Sequence, residues 1–311
     1  MESRILLTGV ELDLFNLLAS KAMTAEQVSS ELEANIRGTT MLLDALAALG
    51  YLAKDGGVYR TEPSLVGLLT SGSESSILPS LMHAANLWHG WSQLTDIVLE
   101  GGHAEFPEDA RESRRKAFIG AMSARAAQDA GQLVRTINPG KVKSLLDVGG
   151  ASGGYTIAFL EAVPEMTATI FDLPPVIEIA RERLSKTPWF KRVNLMAGDF
   201  TVDELPGGHD LVLLSAIIHM NSHDQNLDLY RKVYTALNQE GRVVIRDFVM
   251  DSDRTQPVPG AVFAINMLVN TPGGGTYTFE EICDGLERVG FKDVGYIENG
   301  DGFSLVEGYK Y

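Results

Sequence analysis

The sequence that decides the fold is Ser144-Leu145-Leu146-Asp147-Val148-Gly149-Gly150-Ala151-Ser152-Gly153-Gly154. It is a short apolar run that ends in an acid and a glycine-rich turn, and a helical pattern follows it at Tyr155–Val163. This order predicts a strand, a tight loop and a helix, which is the opening of a nucleotide-type βαβ unit. Because glycine accepts positive φ angles, the loop lets a ligand approach the backbone next to the free N–H groups of the helix N-terminus.

The chain beyond residue 141 continues this alternation of apolar runs and helical patterns. Helical segments separate the first five predicted strands, so we expect a mostly parallel, doubly wound α/β sheet. The predicted strands are Ser144–Val148, Ala168–Phe171, Val193–Ala197, Leu211–Ser215, Arg242–Phe248 and a last pair at Val294–Ile297 and Phe303–Tyr309.

The N-terminal part is mostly helical and then briefly β. Apolar residues recur at helical spacing over Val10–Leu18 and Thr39–Leu49, and Thr24 with Gln27 forms a capping-box pattern. The segment 51–60 carries a glycine turn between two short apolar runs, which predicts a hairpin. Helices followed by a hairpin indicate a winged-helix domain. Its third helix, Thr39–Leu49, has no Lys or Arg, which argues against contacts with DNA phosphates.

A polar linker and two long helical patterns lie between these parts. Residues 71–76 are the linker, helices are predicted over Leu78–Leu99 and Arg111–Ile137, and Asn138-Pro139-Gly140 ends the second of them. We therefore divide the chain into an N-terminal domain (1–75), linker helices (76–140) and an α/β domain (141–311).

Bulk composition excludes several classes of protein. The formal net charge of −15 and the pI of about 4.8 argue against nucleic acid as a partner. Cys283 is the only cysteine, so neither an internal disulfide nor a zinc cluster built on thiolates is possible. No signal peptide is evident and no apolar run reaches membrane-spanning length, so we expect a cytoplasmic protein that binds no membrane.

Four acidic residues sit at the ends of predicted strands, and open α/β sheets bind ligands at the carboxyl ends of their strands. Asp147, Asp172, Asp199 and Asp210 are the four candidates. Asp172 is placed to accept hydrogen bonds from a ribose diol. Asp199 can accept a hydrogen bond from the amino group of an adenine, and Phe200 can stack on its ring. Three of these acids beside a glycine loop predict a ligand that contains adenosine, although such acids also cap helices.

The loop distinguishes between two adenosine ligands. Dinucleotides require G-x-G-x-x-G, whose middle glycine admits the pyrophosphate, whereas this chain has Ala151 at that position. Asp147 would repel a diphosphate, but it can pair with the ammonium of an amino acid, directly or through water. A ligand with adenosine at one end and an amino acid at the other is S-adenosylmethionine.

Taken together, these segments resemble plant caffeic-acid-type and bacterial antibiotic-pathway O-methyltransferases, and the resemblance covers nearly the whole chain. It implies a Rossmann-like methyltransferase domain, an N-terminal winged-helix dimerisation domain and a homodimer. The segments that carry it are Asp147–Gly153, Phe171–Pro174, Gly198–Phe200, Asp96–Gly102, Phe118–Met122, Pro272–Gly274 and Leu286–Phe291. The cofactor contacts that it implies are Asp147, Gly149, Gly150, Ala151, Gly153, Asp172, Leu173, Asp199, Phe200 and Ser215.

The resemblance also implies a reaction centre without a metal. It places a general base at His219 and an acid that orients this histidine at Asp247, where the family often has glutamate. Two positions depart from the family pattern, since Thr276 replaces a second acid and Tyr277 replaces an arginine. The substrate pocket that the resemblance implies is lined by Phe118, Met122, Asn266, Met267 and Asn270.

We therefore expect an enzyme that transfers a methyl group from S-adenosylmethionine to a hydroxyl of a small aromatic or polyketide-like substrate. Two alternatives stay open at this point. One is a relative that binds the same cofactor but catalyses a reaction other than methylation. The other is a winged-helix regulator with S-adenosylmethionine as its effector.

Overall fold

A computed structural model describes residues 1–73, 75–298 and 302–311 of the chain. Glu74, within the predicted linker, lies outside the described residues. The chain forms two compact units, one of Met1–Ser92 with Phe106–Ala124 and one of Gln93–Glu105 with Arg125–Tyr311. No helix within the described ranges is long and apolar enough to cross a membrane.

The first unit is helical and carries one small antiparallel sheet, in the order β1-β3-β2. Its buried core centres on Phe15, Leu43, Leu46 and Tyr59. The elements are α1 (Glu2–Glu11), α2 (Leu14–Ser20), β1 (Met23–Thr24), α3 (Ala25–Glu31), α4 (Ile36–Ala48), β2 (Leu52–Asp55), β3 (Val58–Thr61), α5 (Val66–Leu69) and α6 (Leu78–Trp91).

Local sequence signals account for most of this unit, with three corrections. The capping box of Thr24 and Gln27 is confirmed, and so is the hairpin. The helix predicted over Val10–Leu18 is wrong, because Asp13 adopts a left-handed φ of 54° and separates α1 from α2. The third helix begins earlier than predicted, at Ile36, and therefore includes Arg37.

The third correction concerns the helix predicted over Leu78–Leu99. It is two helices, because α6 ends at Trp91 and α7 (Leu94–Glu100) begins after Gln93. The helix predicted over Arg111–Ile137 is confirmed as α8 (Arg111–Ile137), and its residues divide between the two units after Ala124.

The second unit is built on a seven-stranded sheet in the order β11-β12-β8-β7-β4-β5-β6. The five strands β4–β8 pair in parallel, whereas β12 pairs antiparallel with β8 and with β11, so the predicted mostly parallel α/β sheet is confirmed. The strands are β4 (Ser144–Val148), β5 (Thr167–Asp172), β6 (Val193–Ala197), β7 (His209–Ser215), β8 (Leu237–Asp247), β9 (Val249–Met250), β10 (Tyr277–Thr278), β11 (Lys292–Glu298) and β12 (Ser304–Tyr309).

Helices accompany this sheet, and its central strands are buried. Leu145, Leu146, Leu213 and Val244 are fully buried, as expected for strands that helices cover on both faces. The helices are α7, the C-terminal part of α8, α9 (Gly154–Ala162), α10 (Pro174–Leu184), α11 (His223–Ala236), α12 (Val258–Asn270) and α13 (Phe279–Val289).

The glycine loop after β4 is held by close packing inside the protein. Gly149 has a φ of 67°, and a Cβ at this residue would lie 2.4 Å from Cδ1 of Ile217. A Cβ at Gly150 would lie 2.8 Å from the carboxyl carbon of Asp147. These two glycines are therefore required by the neighbouring side chains, whether or not a ligand also approaches the loop.

Asp210 does not belong to the ligand-binding edge of the sheet. It is the second residue of β7, at the opposite edge, and its Oδ2 accepts hydrogen bonds from the backbone N–H groups of Lys143 and Ser144 at 2.9 and 3.1 Å. Its Oδ1 accepts one from Asn238. The interpretation of Asp210 as a strand-end ligand acid is thus wrong, because Asp210 precedes the apolar run of β7 and lies at the amino end of a parallel strand, whereas ligands bind at the carboxyl ends.

Gly149→Ala should destabilise the second unit, because the new methyl group would need both a left-handed backbone and the space of the Ile217 side chain. We expect the free energy of unfolding to fall by about 2 kcal/mol or more. Urea unfolding measures this change. Gly207→Ala is the matched control, since a Cβ there meets nothing within 4 Å. Equal stability of the two variants would contradict the packing argument.

Candidate active site

The candidate site lies at the carboxyl edge of four adjacent strands. β5, β4, β7 and β8 are neighbours in the sheet, and their last residues are Asp172, Val148, Ser215 and Asp247. The glycine loop leaves β4 at this edge. The fold thus brings together the loop, Asp147, Asp172, Ser215 and Asp247, as predicted from their positions in the sequence.

Asp147 is a buried carboxylate without a cation beside it. Only 2% of the residue is exposed, and its Oδ2 accepts a hydrogen bond from the hydroxyl of Thr156 at 2.6 Å. Burial raises the pKa of Asp147 to about 6; the Thr156 hydrogen bond lowers it and the charge of Asp172 raises it further. Oδ1 makes no hydrogen bond within the described part of the chain, yet it is not sealed from solvent.

Asp172 ties the glycine loop to the end of β5. Its Oδ2 accepts a hydrogen bond from the backbone N–H of Ala151 at 2.9 Å, and its Oδ1 accepts one from the backbone N–H of Leu173 at 2.7 Å. Burial raises the pKa of Asp172, and these two N–H groups only partly offset that effect. The loop residue Ala151 holds a φ of 50°, so its left-handed conformation is stabilised by the bond to this acid.

Asp147 and Asp172 together make the site electrostatically negative. Asp147 is buried and Asp172 is half-buried, and no cation contributes to the pKa of either one. A ligand that carries positive charge would relieve this cost, whereas a diphosphate would increase it. The residues therefore fit S-adenosylmethionine, which carries an ammonium and a sulfonium.

Asp199 and Phe200 follow β6, next to the described edge. Asp199 accepts hydrogen bonds from both the N–H and the hydroxyl of Thr201, at 2.9 and 2.6 Å, so it organises its own turn. Phe200 is half-buried and packs against the main core cluster. Their predicted contacts with adenine stay a prediction.

His219 and Asp247 form a buried pair. His219 lies in a 3₁₀ turn (Ile218–Met220) after β7, and its Nδ1 lies 2.8 and 2.9 Å from the two carboxylate oxygens of Asp247. Asp247 also accepts the backbone N–H groups of Phe248 and His219, at 2.9 and 3.4 Å. The ring of Phe263 meets that of His219 edge-on at 4.8 Å.

The tautomer of His219 follows from this environment. Because every described contact of Asp247 is a donor, its carboxylate is an acceptor and Nδ1 of His219 carries the proton. Nε2 then bears the lone pair. It makes no hydrogen bond within the described ranges and is not sealed from solvent, so it is free to accept a proton from a ligand.

Sequence reasoning missed a second polar group beside Ser215. Arg246 is 7% exposed, and its Nη2 lies 2.5 Å from Oδ2 of Asp129, while Nη1 donates to the Ser215 hydroxyl at 3.5 Å. Tyr155 donates to Asp129 at 3.0 Å. The available signal was an arginine inside the otherwise apolar run of β8, and such a residue requires a partner in the core.

The predicted substrate residues lie on two helices. Phe118 and Met122 are on the part of α8 in the first unit, and Phe118 is 42% exposed. Asn266, Met267 and Asn270 are on α12 in the second unit, where the Asn270 amide donates to the backbone oxygen and to Oδ1 of Asn266. Whether these five residues bind the substrate stays a prediction.

The two departures from the family pattern are internal contacts. Thr276 is buried and its backbone oxygen accepts a hydrogen bond from Arg254, while the Tyr277 hydroxyl donates to the backbone oxygen of Asn221. His219 therefore has Asp247 as its one carboxylate partner among the described residues. That same part of the chain holds no group of three or more His, Cys, Asp or Glu side chains arranged to bind a metal ion.

Comparison with known families matches the chain in two segments. Residues 91–292 match the O-methyltransferase domain, and residues 1–70 match the O-methyltransferase dimerisation domain. The first match includes β4, the glycine loop, His219 and Asp247. The second covers α1 to α5 and the hairpin of the first unit.

Individual relatives agree with these matches over almost the whole chain. The 3-hydroxy-5-methyl-1-naphthoate 3-O-methyltransferase of Streptomyces sahachiroi is 30% identical over 94% of this chain and 87% of its own length. The tetracenomycin polyketide synthesis 8-O-methyl transferase TcmO of Streptomyces glaucescens is 30% identical over 94% and 88%. The fold also matches the solved structure of PigF with S-adenosylhomocysteine, with a TM-score of 0.86 over 99% of this chain and 96% of that chain at 24% identity.

Asp147→Asn should stabilise the protein near pH 7. The pKa of Asp147 in the fold is about 6 against 3.8 for the ordinary carboxyl, so its stabilising contribution is complete below about pH 4 and is lost as the pH rises through 6. Asparagine cannot ionise, so the variant does not lose stability as the pH rises through 6. We expect a gain of up to about 3 kcal/mol at pH 7 that vanishes below pH 4, measured as unfolding free energy against pH.

Asp210→Asn is the control, because it should change the free energy of unfolding at pH 7 in the opposite direction. Burial alone would raise the pKa of Asp210, but the hydrogen bonds from Asn238, Lys143 and Ser144 together lower it. This substitution should therefore destabilise the protein at pH 7, and the difference should shrink as the pH falls through the lowered pKa. A loss of stability in Asp147→Asn at pH 7 would contradict the assignment of an ionised, uncompensated Asp147.

Proposed function

The chain belongs to the S-adenosylmethionine-dependent O-methyltransferases, and we propose that it methylates a hydroxyl of a small aromatic or polyketide-like compound with His219 as the general base. The observation that carries the proposal is the His219–Asp247 pair, with Nδ1 held at 2.8 Å and Nε2 left free. The matched dimerisation domain further supports a homodimer formed through the N-terminal helices.

The cofactor side of the site consists of the glycine loop and the two acids around it. S-adenosylmethionine, when bound, supplies an electrophilic methyl group on a positively charged sulfur. We propose that Asp147 and Asp172 bind the positive and hydroxylated parts of this molecule, with Gly149, Gly150, Ala151, Gly153, Leu173, Asp199, Phe200 and Ser215 completing the contacts. Their buried negative charge supports this assignment, because it selects a cation over a diphosphate.

The chemical task of His219 is to remove the acceptor hydroxyl proton. A phenol ionises only weakly near neutral pH, so its oxygen becomes a good nucleophile when a base accepts the proton as the new O–C bond forms. The free Nε2 lone pair provides that base. Its burial, with 7% of the residue exposed, limits competing hydrogen bonds from water.

Asp247 acts through His219 and is a positioning residue. By accepting a hydrogen bond from the Nδ1–H group it fixes the ring tautomer, and its carboxylate stabilises the imidazolium that forms when Nε2 takes up a proton. Hydrogen bonds from the backbone N–H groups of Phe248 and His219, at 2.9 and 3.4 Å, keep its carboxylate in place.

The acceptor class rests on the relatives and on the predicted pocket residues. One relative is named for a hydroxynaphthoate and another for a tetracenomycin polyketide, and both names state O-methylation. The predicted lining residues Phe118, Met122 and Met267, with Asn266 and Asn270, suit a flat ring with few polar groups. Product mass separates this proposal from the non-methylating alternative, because methyl transfer adds the mass of one CH₂ group.

His219→Ala should abolish most turnover without affecting the binding of S-adenosylhomocysteine. Loss of a general base lowers kcat by about 10²- to 10⁴-fold. Turnover on a hydroxynaphthalene and calorimetric titration with S-adenosylhomocysteine measure the two quantities. His223→Ala is the matched control, because this histidine is exposed on α11 and should retain kcat. Wild-type kcat in His219→Ala would remove the residue from the mechanism.

Asp247→Asn should lower kcat by about 10²-fold or more, since an amide N–H facing Nδ1 favours the tautomer in which Nε2 is protonated. Affinity for S-adenosylhomocysteine should stay unchanged, which shows that the variant is folded. Asp247→Glu keeps an acceptor and should recover part of the activity. An Asn variant as active as the Glu variant would overturn the tautomer argument.

A further inference from the structure

Tyr277 connects the segment that carries His219 to the segment that follows Asp247. Its hydroxyl donates a hydrogen bond to the backbone oxygen of Asn221, two residues after His219. Its backbone lies in β10, where it pairs in parallel with Val249 of β9, two residues after Asp247. A single residue thus bonds to the chain close to each member of the buried His219–Asp247 pair.

Asn226 makes further hydrogen bonds to the same turn. Its side-chain amide donates to the backbone oxygen of Ile218 at 2.9 Å, and its Oδ1 accepts a hydrogen bond from the Asn221 amide at 3.0 Å. The Asn226 amide also bonds to the Tyr277 hydroxyl. Because both asparagines are buried, bulk water does not replace a partner that is lost from this network. The backbone on both sides of His219 is therefore held by hydrogen bonds that depend on Tyr277 and Asn226.

The segment that leads into β10 packs directly against His219. The backbone oxygen of His219 accepts a hydrogen bond from the N–H of Gly275 at 2.9 Å, and a Cβ at Gly274 would lie 2.3 Å from the same oxygen. Since the two segments are in close contact here, a displacement of β10 would be transmitted to the turn.

The contact with Asp247 alone holds the backbone of this turn weakly. The hydrogen bond from the His219 backbone N–H to Asp247 is 3.4 Å long, whereas such bonds in proteins are usually about 2.9 to 3.0 Å. The ring contact at 2.8 Å orients the imidazole. The position of Nε2 therefore also depends on the groups that hold the backbone of the turn.

We propose that Tyr277 is a positioning residue for the general base, and that its hydroxyl holds the turn 218–221 so that Nε2 of His219 stays aligned with the acceptor hydroxyl. The inference rests on the proposed function of His219. Proton transfer requires the base within hydrogen-bond reach of the proton, and a displacement of about 1 Å can lower the rate by about 10²-fold. Tyr277 acts through the backbone of Asn221 and is not itself a catalytic residue.

Tyr277→Phe tests the hydroxyl, because this variant retains the ring and the backbone of β10. We expect kcat for a hydroxynaphthalene to fall by about tenfold, while calorimetry shows an unchanged affinity for S-adenosylhomocysteine. Tyr309→Phe is the matched control. It removes a tyrosine hydroxyl that bonds to Glu307 at 3.0 Å in the same unit, and Tyr309 pairs with Arg242, five residues before Asp247 in β8. It should retain the wild-type kcat.

A double variant separates the positioning of the base from a general effect on the fold. In a His219→Ala background the base is absent, so Tyr277→Phe should cause no further loss of the residual turnover, measured by product mass after long incubation. A hydroxyl that served stability alone would lower turnover by the same factor in both backgrounds.

An NMR measurement tests the same role without a substrate. The Nδ1–H proton of His219 is held by Asp247 in the wild type, so it should exchange slowly with water. Its exchange should be faster in Tyr277→Phe and unchanged in Tyr309→Phe. If the wild type binds no S-adenosylhomocysteine or methylates no phenol, the proposed function fails, and this exchange rate still decides whether Tyr277 positions His219.

Several results would overturn the proposal. These are a wild-type kcat in Tyr277→Phe, an equal loss of kcat in Tyr309→Phe, a loss that persists in the His219→Ala background, or an unchanged exchange rate of the Nδ1–H proton in Tyr277→Phe. Loss of S-adenosylhomocysteine binding in Tyr277→Phe would also contradict it, because the hydroxyl would then serve the whole unit rather than His219.

Discussion

The close packing of the glycine loop against two side chains is the constraint on which the site depends. The missing Cβ of Gly150 leaves room for the carboxylate of Asp147 below the loop, and the missing Cβ of Gly149 leaves room for Ile217 beside it. Ile217 is two residues before His219. The loop therefore determines both the position of Asp147 and the path of the segment that leads from β7 to His219. A shift of the loop would move both residues.

Environment gives the acids of this edge different tasks. Asp247 accepts hydrogen bonds from one ring N–H and two backbone N–H groups, so it can hold a histidine in one tautomer. Asp147 accepts a single hydroxyl and has an acid rather than a cation nearby, so its ionised form is costly until a positive ligand arrives. One carboxylate thus serves the internal order of the site, and the other lowers the stability of the protein at neutral pH unless a positive group is bound beside it.

Local patterns in the sequence predict most of the fold. The bounds of β4 and β6 and the capping box of Thr24 follow from short-range rules of alternation, capping and turn formation. The wrong prediction of one helix over Val10–Leu18 also has a local cause, because the left-handed backbone of Asp13 divides a run whose apolar spacing is continuous. Asp210 fails for another reason: it precedes the apolar run of its strand and so lies at the amino edge of the parallel sheet, where its hydrogen-bond partners Lys143, Ser144 and Asn238 come from other segments.

The charged residues that the sequence could not assign are those whose partners come from other elements. Arg246 and Arg114 are two such arginines: the apolar run around Arg246 indicates that it needs a partner, but the sequence around neither residue shows which partner it has. The fold gives Arg246 an acid from α8, 117 residues away in the chain, so that its charge is used in holding β8 and α8 together beside Ser215. It gives Arg114 an aromatic ring and no acid in the described ranges. Because Arg114 is only half-buried, its charge is accommodated by the ring of Phe106 and by solvent, without an acid of its own in that part of the chain.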